Sequence, residues 1–236
     1  MSDDATIEFL CDPDLLGTIP EPQPAIRFAP DWFKQMDREM GTPDIQGMAG
    51  QTIKACLPVT DAFALGYVIP LPYDVTFGGG DGPANLNIRW AEDCAFQPIE
   101  QHHPGQLGAP NPPFAGVVPL KFINPWRIKV PEGYSVLFQP VMNRPELLFW
   151  CFSGLVDCDH FATTINFPFI WNGGNQEARL AAGTPIIQVI PIRRDALVKN
   201  HAVRASTEDE LAEQEAARDR KYNEESTYRK EWRVKK

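Results

Sequence analysis

The sequence is poor in the residues that build metal and disulfide sites. Five cysteines in 236 residues (Cys11, Cys56, Cys94, Cys151 and Cys158) form an odd, scattered set with no CxxC pair. That pattern argues against a disulfide framework or a structural zinc site, and reads the cysteines as small core residues. Histidine is scarcer still, with only His102, His103, His160 and His201. Neither an HxH with a downstream Glu nor a His-x-Asp with a distant His occurs, so no metal and no cofactor is assigned. No run approaches the roughly 18 apolar residues of a membrane span. The opening Met1-Ser2-Asp3-Asp4 is acidic where a signal peptide is basic. A cytoplasmic protein without membrane contact is expected. Bases are outnumbered as well: 22 Lys and Arg against 31 Asp and Glu leave a net charge of −9. That balance offers no general attraction to nucleic acid. No Gly-Lys-Ser/Thr closes Gly78-Gly79-Gly80-Asp81-Gly82, which reads as a tight turn and not a phosphate loop.

Proline, by contrast, is abundant. The 23 prolines and 17 glycines predict many short elements joined by stiff turns, against a long-helix bundle. Residues 1–50 read as an irregular leader, because Asp12-Pro13, Ile19-Pro20, Glu21-Pro22 and Gln23-Pro24 remove donors and restrict their neighbours. Within it, Phe28 to Met40 reads as a short amphipathic helix: Pro30 suits the first turn, and Trp32, Phe33, Met36 and Met40 recur at helical spacing. A glycine-rich loop, Gly41 to Gly50, is expected next.

Cys56 to Tyr67 reads as a turn or two of helix closed by Gly66. Tyr67 to Val75 is extended, and its two prolines suggest an edge strand or a bulge. Asn85 to Trp90 alternates as a half-buried strand. Residues 97–119 are the least regular stretch, a proline-stiffened loop of the length that usually serves function or an interface. Strand signals then crowd together: Lys121 to Val130, Tyr134 to Gln139, Leu147 to Phe152 (apolar on both faces, so central), Phe161 to Phe169, and Thr184 to Ile192 after the turn Ala182-Gly183. The expected fold class is mainly β: a single β-barrel, β-clip or jelly-roll-like domain with an irregular N-terminal leader and a C-terminal helix. The boundaries are a leader at 1–50, a β-rich core at 51–205 and a charged helix at 206–236. That helix opens with a capping box, Ser206 or Thr207 with Asp209 or Glu210 three residues on. From residue 208 it holds nine acids and eight bases, a solvated pattern suited to packing one stripe on its own domain or on a second subunit. A homo-oligomer is therefore expected.

One stretch resembles a known group. Gly154-Leu155-Val156-Asp157-Cys158-Asp159-His160-Phe161, followed by Leu180-Ala181-Ala182-Gly183-Thr184-Pro185-Ile186-Ile187-Gln188-Val189-Ile190, resembles the third and fourth motifs of the dUTPase and dCTP deaminase superfamily. Ile128-Lys129-Val130-Pro131-Glu132-Gly133-Tyr134 is similar to the turn before that group's second motif. In that family the hairpin aspartate orients or activates a water that attacks the α-phosphorus, and the matching residue is Asp157. Where the family places an Arg-Ser pair beside the phosphates, this chain carries Val141-Met142-Asn143-Arg144, with the arginine displaced and no serine. Across about residues 30–195 the chain also resembles a family of bacterial and phage proteins of unknown function. Its shared phrases include Asn124-Pro125-Trp126-Arg127-Ile128-Lys129 and Asn166-Phe167-Pro168-Phe169.

Candidate chemistry follows from these readings. Asp157, Asp159 and His102 are the candidate catalytic groups, since a carboxylate fixed at a hairpin tip or an imidazole in a loop can act on water or substrate. His103, Gln106, Arg127, Arg144, His160 and Gln188 are the candidate ligand-binding groups. Gln188 stands out because it is polar inside an apolar strand and must find partners if buried. Hairpin aspartates that only accept turn N–H groups remain the alternative for Asp157 and Asp159. Three functions stay open: a protein that binds or acts on a small polar metabolite, a nucleoside triphosphate pyrophosphatase, and a noncatalytic oligomeric protein.

Overall fold

A computed structural model describes residues 5–43, 49–78, 86–108, 111–115, 117–223 and 228–234. The chain divides into two compact units, Met1–Ala196 and Leu197–Lys236. In the first, the leader supplies β1 (Glu8–Leu10), β2 (Gln23–Pro24), α1 (Asp31–Gln35), β3 (Glu39–Pro43) and β4 (Ala49–Gln51). Next come α2 (Leu57–Phe63), β5 (Tyr67–Pro70), β6 (Val75–Gly78), β7 (Asn87–Arg89) and β8 (Ile99–Gln101). The middle of the chain forms β9 (Leu120–Phe122), β10 (Arg127–Lys129), β11 (Tyr134–Gln139), β12 (Phe149–Cys151) and β13 (Gly154–Val156). Then β14 (Phe167–Trp171), β15 (Ala178–Leu180) and the longest strand, β16 (Pro185–Arg193), complete the unit.

These strands make several open antiparallel sheets. The largest runs β13-β11-β16-β5-β2, the next β12-β14-β9-β8, and a third β15-β6-β7. Two-stranded ribbons pair β1 with β10 and β3 with β4. The expectation of a closed β-barrel, β-clip or jelly roll is thus corrected. Closure would require the outer strands of a sheet to pair, and instead β13 and β2 bound the first sheet while β12 and β8 bound the second. Phe152 and Ser153 simply carry the chain from one open sheet to the next. With the helices and 3-10 turns such as Ala25–Phe28 and Pro104–Leu107, the architecture is mixed α/β.

Aromatic rings join the sheets into one core. Phe122 and Phe169 stack at 3.8 Å and Phe77 stacks on Trp171 at 4.2 Å. Phe138 of β11 meets Phe167 of β14 at 5.4 Å, which ties the five-stranded sheet to the four-stranded one. Each buried ring of this kind stabilises by about 2–3 kcal/mol relative to exposure. Trp126 belongs to this core as well. Asn124 brackets it from above: its Nδ2 donates to the carbonyls of Trp126 (2.8 Å) and Ile165 (3.0 Å), and its own N–H donates to Asn166 Oδ1 at 3.0 Å. The phrases beginning Asn124 and Asn166 are therefore two halves of one structural clasp.

Local expectations divide. The alternation at 86–90 is observed, with Leu86, Ile88 and Trp90 half-buried between the exposed Asn87 and Arg89. Helix α2 and the turns at Gly133 and Gly183 stand as read, both glycines having positive φ. The helix expected over 28–40 is only five residues long, because Met36 leaves helical geometry (ψ 136°) and Met40 falls in β3. The loop expected at 41–50 is flanked by paired strands, and its centre, 44–48, lies outside the described residues, as does the glycine turn at 79–82. Strand β5 is covered on both sides, and the bulge lies opposite its Pro70, between Pro185 and Ile187 of β16. Strand β12 is an edge, not a centre: Trp150 turns outward at 41% exposure while Phe149 and Cys151 are buried. Within 161–169 only Phe167 onward is strand.

The second unit is built on α3 (Glu208–Asn223) and a single wide turn, Tyr228–Trp232. The expected capping box is formed reciprocally: Thr207 N–H donates to Glu210 Oε2 (2.8 Å), and Glu210 N–H donates to Thr207 Oγ1 (3.3 Å). Among the described residues no helix is long and apolar enough to cross a membrane.

Candidate functional site

The leader reaches the core through backbone pairing. Gln23 and Pro24 pair with β5, and Ala25 N–H donates to the Gly66 carbonyl at 3.0 Å. The chain then coils through Ala25–Phe28, and Pro30, with no N–H to lose, caps α1. Phe33 anchors that helix by packing on Phe63 at 4.5 Å, which turns the neighbouring Trp32 toward the surface. Facing this segment is the turn after β11, where Asn143 adopts φ +56°. The turn is held from below by Gln188, 1% exposed, whose Oε1 accepts Met142 N–H at 2.9 Å. Gln188 Nε2 donates to the carbonyls of Leu65 (2.6 Å) and Ala62 (3.4 Å). The glutamine is a buried brace between β16, α2 and the 142–146 turn.

That brace sets Arg144 against the leader. Its side chain, 14% exposed, donates from Nη1 to the Phe28 carbonyl at 2.6 Å and from Nε to Glu146. Two of its five N–H donors are thereby used, and Arg144 lines an open pocket of about 430 Å³. The pocket is walled by Arg27, Phe28, Trp32, Lys34, Glu146 and Pro185, among others. Lys34 lies 3.7 Å from Asp31, both exposed, and Arg27 has no ion-pair partner among the described residues. Three cations against the carboxylates of Asp31 and Glu146 give the lining a positive excess on an acidic chain.

The Asp157 hairpin builds a second cluster. Arg194, just past β16, donates to Asp159 Oδ1 (3.0 Å) and Oδ2 (2.5 Å), and Gly133 N–H donates to the same Oδ2 at 2.9 Å. Those bonds, Arg194 foremost, hold the Asp159 carboxyl well below the usual carboxylate range. Asp157 is 63% exposed, accepts the Ser135 hydroxyl at 2.5 Å and lies 3.5 Å from Arg194. His160, on the outer side, lies 3.7 Å from Asp159. Between the two aspartates Cys158 is buried, and burial, then the flanking carboxylates, pushes its thiol up to about 11.

The structure therefore brings Asp157, Asp159 and His160 together, with Arg194 and Ser135 added, and sets Arg144 and Gln188 together elsewhere. The loop histidines form a third group. His103 Nδ1 accepts Gly105 N–H at 3.1 Å and caps the 3-10 turn that carries the exposed Gln106. His102 Nε2 is buried without a hydrogen bond among the described residues, 3.8 Å from Glu100, which Lys121 holds at 2.7 Å. Arg127 is exposed on β10, opposite Leu10 of β1. Among the described residues no group of three or more His, Cys, Asp or Glu is placed to hold a metal ion. Sequence reasoning passed over Arg27, Lys34, Glu146 and Arg194. Arg194 meets Asp159 only through sheet pairing, 35 positions away, and Arg27, Lys34 and Glu146 come beside Arg144 only when the leader folds against the turn after β11.

Comparison of the chain with models of known protein families finds no match, and comparison with curated proteins finds none either. Nothing there ties the chain to the dUTPases, and the open mixed sheets are not the closed barrel expected from the strand pattern. The dUTPase-like architecture is withdrawn.

Proposed function

We propose that this protein binds a small anionic metabolite with a planar apolar part, in the pocket between the 25–34 segment and the 142–146 turn. One observation carries the reading: Arg144, bonded to Phe28 and Glu146 with donors still unspent, lines the same pocket as the partly exposed Trp32. A guanidinium fixed in this way meets a carboxylate or phosphate in a fork geometry at little entropic cost. An indole beside it accepts a flat ring. Arg27 and Lys34 at the rim draw the anion in and are partly screened by salt. The pocket volume, about 430 Å³, suits a metabolite and not a polymer. Five unpaired cysteines, two of them buried, support a reducing compartment and hence the cytoplasm as the place of action.

The test is calorimetric titration of the full chain with nucleoside monophosphates, aromatic carboxylates and their uncharged counterparts. At least one anion should bind in the micromolar range and its uncharged counterpart should not. Arg144→Gln should weaken that binding by about tenfold or more, equivalent to about 1.4 kcal/mol. Equal binding of charged and neutral forms, or none of either, would defeat the proposal.

A further inference from the structure

A second concavity lies between the exposed edges of two sheets. Strand β7 ends the three-stranded sheet and β8 ends the four-stranded one. Residues on and beside them line a trough of about 300 Å³, among them Asn87, Ile88, Trp90, Gln97, Ile99 and Gln101. Its chemistry is unlike that of the first pocket. The described lining contains no ionisable side chain; its polar side-chain groups are three carboxamides and the Trp90 indole N–H. The two charged residues next to the lining on β7 and β8 are paired elsewhere. Glu100 alternates to the opposite face of β8 from Ile99 and Gln101, where Lys121 holds it at 2.7 Å, and Arg89 pairs with Glu177 at 2.5 Å. No hydrogen bond among the described residues occupies the carboxamides of Asn87, Gln97 or Gln101.

We propose that this trough is a binding site for a neutral, hydroxyl-rich ring, that is, a saccharide. A carboxamide offers both a donor and an acceptor, and so does each hydroxyl of a sugar, so three amides can be satisfied without any charge being desolvated. Trp90 and Ile88, partly buried against the core, supply apolar lining against which the C–H face of such a ring can rest. A phosphorylated or carboxylated ligand finds no counter-charge here. The volume is at the small end of ligand pockets, about 300–1,000 Å³, which limits the occupant to a mono- or disaccharide unit. The site is independent of the anion pocket.

The experiment is ligand-observed NMR and tryptophan fluorescence of the full chain against neutral hexoses, N-acetylhexosamines and disaccharides, with uncharged nucleosides as a control. At least one saccharide should bind with a Kd of about 1 mM or tighter, and Gln101→Ala and Asn87→Ala, both at exposed positions, should each weaken it at least about fivefold. Trp90→Ala should abolish it, and Arg144→Gln should leave it unchanged. Absence of saccharide binding, preference for nucleosides, or full binding by both carboxamide variants would overturn the proposal.

Discussion

The side-chain oxygen of Gln188 accepts the backbone N–H of Met142 at 2.9 Å, and so a residue in the middle of β16 fixes the turn that presents Arg144. Replacing Gln188 by Leu keeps the volume and removes both ends of the brace, leaving Met142 N–H and the Leu65 carbonyl without it. Both bonds are partly buried, and a group left unsatisfied costs about 1–3 kcal/mol when fully buried, so a loss of about 2 kcal/mol is expected in urea unfolding. Anion binding should weaken along with it, although Gln188 is not among the pocket's lining residues.

Asp159 makes stability depend on acid. Its carboxyl titrates well below the unfolded value of about 3.9 because Arg194 and Gly133 bond the ionised form. A group with a depressed folded pKa contributes fully above its unfolded pKa and loses that contribution as pH falls through the folded one. Asp159→Asn should therefore lower the urea midpoint at neutral pH. The variant should also lose less stability than the parent between about pH 4 and the acid limit. Parallel acid limbs for the two proteins would count against the clamp.

Gly66 sits where α2 hands over to β5, with φ +68°, and a Cβ there would lie 2.2 Å from the Val189 carbonyl oxygen. Gly66→Ala should cost more than about 2 kcal/mol, since both the left-handed backbone and the β5–β16 spacing oppose it. Gly133, with φ +85° but open space around its missing Cβ, is the control. Gly133→Ala should cost only about 1 kcal/mol. Thermal unfolding of the pair separates conformational strain from collision.

The cysteines should label in order of burial. Cys56 is exposed and should react with a maleimide within the first pulse; Cys151 and Cys158 are buried, with thiols pushed upward by that burial. They should react only in denaturant. Mass spectrometry of peptides after timed pulses gives the order directly, and early labelling of Cys151 would contradict its packing against the Ile186 carbonyl.

The parts of the fold that local chemistry determines could be read from the sequence. Tyr134–Gln139, the Gly133 and Gly183 turns, α2 and the Thr207–Glu210 box all depend on residues a few positions apart. What failed depends on distant partners. Leu147–Phe152 reads as central because it is apolar throughout, yet a strand becomes an edge only through what its neighbours leave uncovered, and here Leu148 and Trp150 stay at the surface. Barrel closure was misjudged for the same reason. At the sites, Arg144 stands out in the sequence only through the resemblance, as a displaced arginine, and Gln188 as a polar residue within an apolar strand. Their association was hidden, as was the approach of Arg144 to Phe28, 116 positions away. Arg194 escaped notice because an arginine at a strand end is ordinary until Asp159 is seen beside it.

The bond from Arg144 to the Phe28 carbonyl also bears on the order of assembly. During synthesis the leader leaves the ribosome long before its clasping arginine exists. At about 5–20 residues per second, Phe28 waits several seconds or more for residue 144, and longer for the strand that braces it. Until then one wall of the cavity is free polypeptide. A nascent chain halted before that point should have neither wall in place, and ligand capture should begin only once β16 has emerged.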